Sequence, residues 1–311
     1  DGIYFSAKRS ESGYTAKIMS ETVGTDETYS VRHRIYDGDI LIAETCGSHS
    51  VSVTAECPNV TEWDIDCPKL YTLQSELIKN ETVIDSQERR IGFRTTEFTP
   101  DGFFLNGRKL KMNGVCLHHD LGCLGAAVNK TATKRQLTLM KEMGANAVRT
   151  SHNMPSCELM DLCDELGILV DSEAFDMWEL KKTEFDYARF FDDRYKMDVE
   201  SWVKRDRNHP SVIMWSIGNE IYDTHVSEHG YETWIFNAEY LWCSCVSIVI
   251  VHLDSVSIGV NYGMADSRYH VFLAGKFAGY SDLSVHVGGY VNAVRCKADS
   301  RTLDKPYIPV N

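Results

Sequence analysis

The residues best suited to chemistry stand at the ends of apolar runs. Ser211 to Glu220 reads Ser-Val-Ile-Met-Trp-Ser-Ile-Gly-Asn-Glu, entered through Asn208-His209-Pro210 and halted by Gly218. A short run this apolar fits a strand buried on both faces of a parallel sheet, and it delivers Asn219 and Glu220 at its C-terminal tip. Three earlier runs end alike: His118, His119 and Asp120 follow the first, Arg149, Ser151, His152 and Asn153 the second, and Asp171, Glu173, Asp176 and Trp178 the third. Barrel active sites are built where strands end, so polar and aromatic side chains gathered there read as a catalytic floor. By itself Asn219-Glu220 reads equally as the start of a solvated loop; four strand ends of the same character favour catalysis. Metal binding by the histidines has weak support, because no pair has the i, i+4 spacing of helical metal motifs.

Strands and helices in alternation must position these groups. From Lys109 onward the pattern predicts a strand over Leu110 to Leu117 and a helix over Thr133 to Met143 with a buried stripe of Leu137, Met140 and Met143. A strand over 147–150 leads to a helix over 156–166, capped by Ser156, packed through Leu159, Leu162, Cys163 and Leu166, and ended by Gly167. A third strand, 168–170, precedes a helix over 193–205 with Tyr195, Val199, Trp202 and Val203 on one face. Such βα alternation signals a parallel sheet. Before it, from Gly13 to about Arg94, short Val-, Ile-, Thr- and Tyr-rich runs recur about every ten residues, as in an antiparallel immunoglobulin-like sandwich. Asp37-Gly38 and Asn106-Gly107 mark tight turns between strand-like pieces.

Bulk properties narrow the function classes. The chain has 311 residues and a net charge of −13, which argues against nucleic-acid or anionic-membrane partners, since both require clustered Lys and Arg, and is compatible with a neutral substrate. No apolar run reaches the roughly 18 residues of a membrane span; the longest, around Val246 to Leu253, is too short. The ten cysteines lack the paired spacing of a zinc site or disulfide framework. The first residue is Asp1, so a removed leader or an excerpt is expected, with cytoplasm and periplasm both open as compartments.

The runs Asn113-Gly114-Val115-Cys116-Leu117-His118-His119-Asp120, Gly144-Ala145-Asn146-Ala147-Val148-Arg149-Thr150-Ser151-His152-Asn153, Leu162-Cys163-Asp164, Phe175-Asp176-Met177-Trp178 and Arg205-Asp206-Arg207-Asn208-His209-Pro210 through Glu220, in this order, resemble glycoside hydrolase family 2. The bacterial β-galactosidase branch is the nearest match, over about residues 1–225. The resemblance implies an immunoglobulin-like β-sandwich (1–95) followed by an incomplete (β/α)8 TIM barrel (96–311) that is irregular after about 226. The family's N-terminal jelly-roll domain would precede it. It implies a retaining mechanism with Glu220 as general acid/base, Asn219 bonding the sugar 2-hydroxyl and Arg149 holding the nucleophile's carboxylate. His118 and His152 would line the glycone subsite, with Asp120, Asp176 and Trp178 in substrate contact. Glu220 must carry its proton when the glycosidic oxygen leaves, and a stacked indole such as Trp178 suits the apolar face of a sugar ring. The implied partner is a β-galactoside, with β-glucuronide and β-mannoside as alternatives, in a homo-oligomeric parent. No nucleotide or redox cofactor is called for; a divalent cation such as magnesium is compatible.

The chain also departs from the family. The nucleophile belongs at the end of the seventh barrel strand, yet no glutamate follows Glu239, and the roughly 90 residues after Glu220 are too few for four further units. An inactive carbohydrate-binding fragment is therefore the competing expectation. Gly259-Val260-Asn261-Tyr262 and Ala278-Gly279-Tyr280 resemble the fifth and sixth units faintly. Met154 stands where proline is usual, and Ser172 where an Asp-Glu pair is usual.

Overall fold

The computed structural model describes residues 2–225, 248–253, 256–262 and 269–275. The first part of the chain forms β1 (Ile3–Ser10), β2 (Gly13–Ser20), β3 (Tyr29–Asp37), β4 (Ile40–Ser48), β5 (Val53–Pro58), β6 (Tyr71–Lys79) and β7 (Thr82–Ile91), with apolar and polar side chains alternating most clearly along β2, β3, β5 and β6. They form two antiparallel sheets, ordered β1-β2-β5 and β4-β3-β6-β7. Ile3, Phe5, Tyr14, Ala16, Ile18, Ala55 and Cys57 of the first share one core with Ile35, Ala43, Tyr71, Leu73 and Ile91 of the second. This is the expected sandwich. Phe93 anchors it, with the rings of Phe5, Tyr14 and Tyr71 at 5.5, 5.4 and 5.2 Å from its own. The alternating pattern read from the sequence began at Gly13 and missed β1. Ile3, Tyr4 and Phe5 are all buried in succession, which hides the period of two; Tyr4 is covered by the Arg207 guanidinium at 5.3 Å.

A short meander follows, β8 (Thr96–Thr99), β9 (Gly102–Leu105) and β10 (Arg108–Lys109). Its tight turn places Asn106 and Gly107 at φ +54° and +79°, as a two-residue hairpin with both centres left-handed requires. The βα alternation then appears as β11 (Gly114–His118), α1 (Lys130–Glu142), β12 (Ala147–Ser151), α2 (Cys157–Leu166), β13 (Leu169–Glu173), α3 (Ala188–Asp206) and β14 (Val212–Asn219). β11 lies parallel to β12 from Gly114↔Ala147 to His118↔Ser151, and β12 to β13 from Ala147↔Leu169 to Arg149↔Asp171. α1 starts earlier than its apolar pattern suggested, because Asn129 caps it by accepting from the Ala132 amide at 2.9 Å. It buries Thr133 and Leu137, whereas Met143, expected in the stripe, is 68% exposed; the helix has already ended at Glu142. α2 matches its sequence signals, with Ser156 Oγ accepting from Leu159 N at 3.3 Å and Gly167 left-handed at φ +67°.

The chain divides into two compact units, 1–172 with 197–213, and 173–196 with 214–311. In the first, the sandwich is tied to the βα segment by bonds between residues far apart in sequence. Trp63 Nε1 donates to Asp164 O at 2.9 Å. Asn208 accepts from Phe5 N at 2.9 Å and donates to Ile3 O at 2.8 Å, and Arg90 pairs with Glu165 at 2.9 Å. Ser172, the departure noted in sequence, accepts from Trp202 Nε1 at 3.1 Å.

In the second unit, Ala174 N donates to Ser216 O and Asn219 N to Phe175 O, each at 2.9 Å. Phe175, Trp178, Tyr187 and Phe191 pack ring against ring here. β15 (Ile248–Leu253) runs parallel to β14, but β16 (Val256–Tyr262) and β17 (Tyr269–Gly275) turn back antiparallel. Gly259 to Tyr262 therefore belong to a hairpin strand and not to a fifth βα unit, since a barrel needs parallel neighbours joined by helices. Residues 278–280 lie outside the described residues. Among the described residues no helix is long and apolar enough to cross a membrane.

Candidate active site

In the first unit the parallel register places the ends of β11 and β12 side by side, and the polar residues there meet. His118 stands edge-on to His152, ring centroids 5.1 Å apart at 86°. Arg149 donates from Nη2 toward His152 Nδ1 at 3.4 Å and from Nη1 toward Cys116 Sγ at 3.6 Å. The Ser151–His152 peptide is cis. A small cleft of about 30 Å³ lies against these strand ends, lined by His118, Asp120, Thr150, Ser151 and Asn153 among others. Arg149, His118 and His152 thus form one cationic and aromatic cluster. Asp120 serves the next turn, its Oδ1 accepting from Gly122 N at 2.5 Å, while His119 donates to Ala126 O at 2.8 Å.

In the second unit β14 carries Asn219 and Glu220 out of the core. Asn219 is buried, and its Nδ2 donates to Asp176 Oδ1 at 2.8 Å. Glu220 is exposed and has φ +45°, a left-handed conformation that non-glycine residues hold only where their surroundings impose it. Beneath, Glu173 is fully buried and accepts from Ser216 Oγ at 2.7 Å.

Trp178 differs from the exposed stacking platform expected of it. Its indole is 0% exposed, donates to Ile217 O at 2.9 Å and stacks on Phe191 at 6.2 Å. A ring so enclosed supports the strand below Asn219; it has no face open to a sugar.

Two further residues were not legible as site residues. Lys182 donates to Asp176 Oδ1 at 2.8 Å and to Asn219 O at 2.9 Å; in sequence it looks like half of a solvated Lys181-Lys182 pair. Asp223 accepts from the amides of Glu179 and Leu180 at 3.1 and 3.2 Å. Asp186 holds the same loop, accepting from the amides of Lys182, Thr183 and Ala188 at 2.7, 2.7 and 3.1 Å. Burial works against its charge, but these amides prevail and keep its carboxyl below the usual range. Among the described residues no group of three His, Cys, Asp or Glu is placed to hold a metal ion, so the compatible divalent cation finds no ligand set there.

Comparison with known proteins places these features in a family. The model for the immunoglobulin-like part, Glycosyl hydrolases family 2, matches residues 3–94, and the model for the family's TIM barrel domain matches residues 97–234. The β-galactosidase BoGH2A of Bacteroides ovatus is 56% identical over 162 residues, which cover 51% of this chain and 19% of that protein. A β-glucuronidase of Streptococcus agalactiae is 31% identical over 221 residues, covering 65% of this chain and 35% of that one. The crystal structure of a glycosyl hydrolase family 2 member from Bacteroides cellulosilyticus superposes with a TM-score of 0.76 at 34% identity, over 81% of this chain and 34% of that one. The chain spans about a fifth of the length of BoGH2A. Two matching family models, a relative of high identity and a shared fold lead to one conclusion: the chain belongs to glycoside hydrolase family 2.

Proposed function

We propose that this chain supplies the acid/base half of a retaining β-galactosidase. One observation carries the reading: Asn219-Glu220 leaves a buried strand with Glu220 in a left-handed backbone conformation and Asn219 fixed by Asp176. Glu220 would protonate the departing glycosidic oxygen and afterwards deprotonate water. Asn219 would bond the sugar 2-hydroxyl, Arg149 would hold the carboxylate nucleophile, and His118 and His152 would contact the glycone. Asp120 and Asp176 would contact the substrate, and Asp176 would also hold the Asn219 amide. The immunoglobulin-like part is assigned to 1–95 and the catalytic part to 96–311, with a homo-oligomeric whole. Galactose is favoured over glucuronate because the relative of 56% identity is a β-galactosidase, although β-glucuronidases are also related.

Hydrolysis of nitrophenyl β-galactoside, β-glucuronide and β-mannoside by the full-length protein tests the substrate. A preference for the glucuronide or mannoside overturns it. Glu220→Gln should lower kcat by about 10²–10⁴-fold, the usual contribution of a positioned proton donor.

A second reading, binding without turnover by this chain alone, is favoured by the antiparallel course of β16 and β17, so that among the described residues no seventh parallel strand carries a nucleophile. Galactose binding by the 311-residue chain, measured by titration and unaccompanied by hydrolysis, is the expected result.

A further inference from the structure

We infer that Lys182 is a positioning residue for Glu220, an assignment that rests on the acid/base role proposed above. Its ammonium donates to Asn219 O at 2.9 Å and to Asp176 Oδ1 at 2.8 Å, and it lies over the Tyr222 ring at 5.6 Å. The Asn219 carbonyl belongs to the peptide that joins Asn219 to Glu220. The orientation of that peptide sets φ of Glu220, here +45°, a sparsely populated region that persists only where neighbours over-determine it.

The other oxygen that Lys182 binds, Asp176 Oδ1, also accepts from Asn219 Nδ2 at 2.8 Å. Lys182 therefore fixes the peptide plane leading to Glu220, while Asn219 Nδ2 keeps Asp176 Oδ1 as its own acceptor without it. The Lys182 side chain is only 13% exposed, so these bonds face little competition from water.

Its loop is built to hold it. Asp223 binds the amides of Glu179 and Leu180 on one side of Lys182, and Asp186 binds those of Lys182, Thr183 and Ala188 on the other. An ion pair serving only stability would not need the Asn219 carbonyl as its second acceptor, nor carboxylates securing the loop at both flanks.

The test compares phenyl β-galactoside, whose leaving group needs a proton, with 2,4-dinitrophenyl β-galactoside, whose leaving group does not, using the full-length protein. In Lys182→Met, kcat/KM for the phenyl substrate should fall about 10- to 100-fold, part of the range for general acid catalysis. For the dinitrophenyl substrate it should stay within about 3-fold, since binding and nucleophilic attack are intact. Equal losses on both substrates would mark Lys182 as merely structural and overturn the inference, as would no loss on either. Lys182→Gln, which keeps a donor without the charge, is judged by the same criteria if the Met variant does not fold. Glu220→Gln separates the two levels. If it shows the leaving-group dependence and Lys182→Met does not, only the positioning role falls; if it fails to show it, the acid assignment falls and takes the inference with it.

Discussion

Replacing Asp164 by alanine tests how far a buried charge cluster stabilises the βα segment of the first unit. Asp164 is 1% exposed. Its Oδ2 accepts from His209 Nδ1 at 2.6 Å and its Oδ1 from Ser211 N at 3.1 Å, while its backbone carbonyl receives Trp63 Nε1. Removing the carboxylate leaves His209 without its partner and the Ser211 amide without an acceptor. Breaking a buried pair from one side costs about 3–5 kcal/mol, and the stranded amide lies within that figure and not on top of it. For a unit of this size the loss corresponds to a fall of roughly 10 °C in the unfolding midpoint. Asp164→Asn retains an acceptor for Ser211 and should lose only about 1–2 kcal/mol.

The cost must also depend on pH. Burial disfavours the charged His209 imidazole, but the Asp164, Asp206 and Asp161 carboxylates and the Asp164 hydrogen bond outweigh it and raise its pKa above the ordinary value. A raised folded-state pKa contributes stability that is fully present below the unfolded value of about 6.5 and is lost as pH rises through the folded value. The gap between wild type and Asp164→Ala should therefore narrow as pH rises. Tryptophan fluorescence melts from about pH 6 to about pH 9 measure it, bracketing the histidine range. A gap below about 2 °C, near 1 kcal/mol or less, or one unchanged across that range, would refute the argument.

His33 predicts the opposite pH dependence. Burial lowers its pKa to about 4, so the unfolded chain takes up a proton first and stability falls as pH drops from about 6.5 toward 4, by about 3 kcal/mol. Denaturant titrations of His33→Gln should show a flatter acid limb. Gly167→Ala places a Cβ against Ile65 O at φ +67°, whereas Gly144→Ala, at φ +94°, meets nothing within 4 Å. Both carry the backbone penalty of about 1 kcal/mol, and thermal melts should show the Gly167 variant losing clearly more. Trp178→Phe removes the donor to Ile217 O and should lower stability by about 1–3 kcal/mol, with the midpoint of chemical unfolding as readout.

The sequence by itself determined what is encoded within a few residues. Ser156 and Gly167 bound α2, Asn106-Gly107 makes its turn, and the period of two lays down β2, β3, β5 and β6. Each is a local steric or hydrogen-bonding preference that needs no distant partner. Tertiary structure decided what depends on such partners. β1 joins the sandwich although Ile3, Tyr4 and Phe5 break its alternation, because Arg207 covers Tyr4. Trp178 is enclosed because Phe191 and the Ile217 carbonyl occupy its face and its N–H. Lys182 leaves the solvated surface for the Asn219 carbonyl because Asp186 and Asp223 hold its loop. β16 and β17 reverse direction where a barrel strand would continue. Burial and hydrogen bonding join residues far apart in the chain, and only the folded arrangement fixes which of them meet.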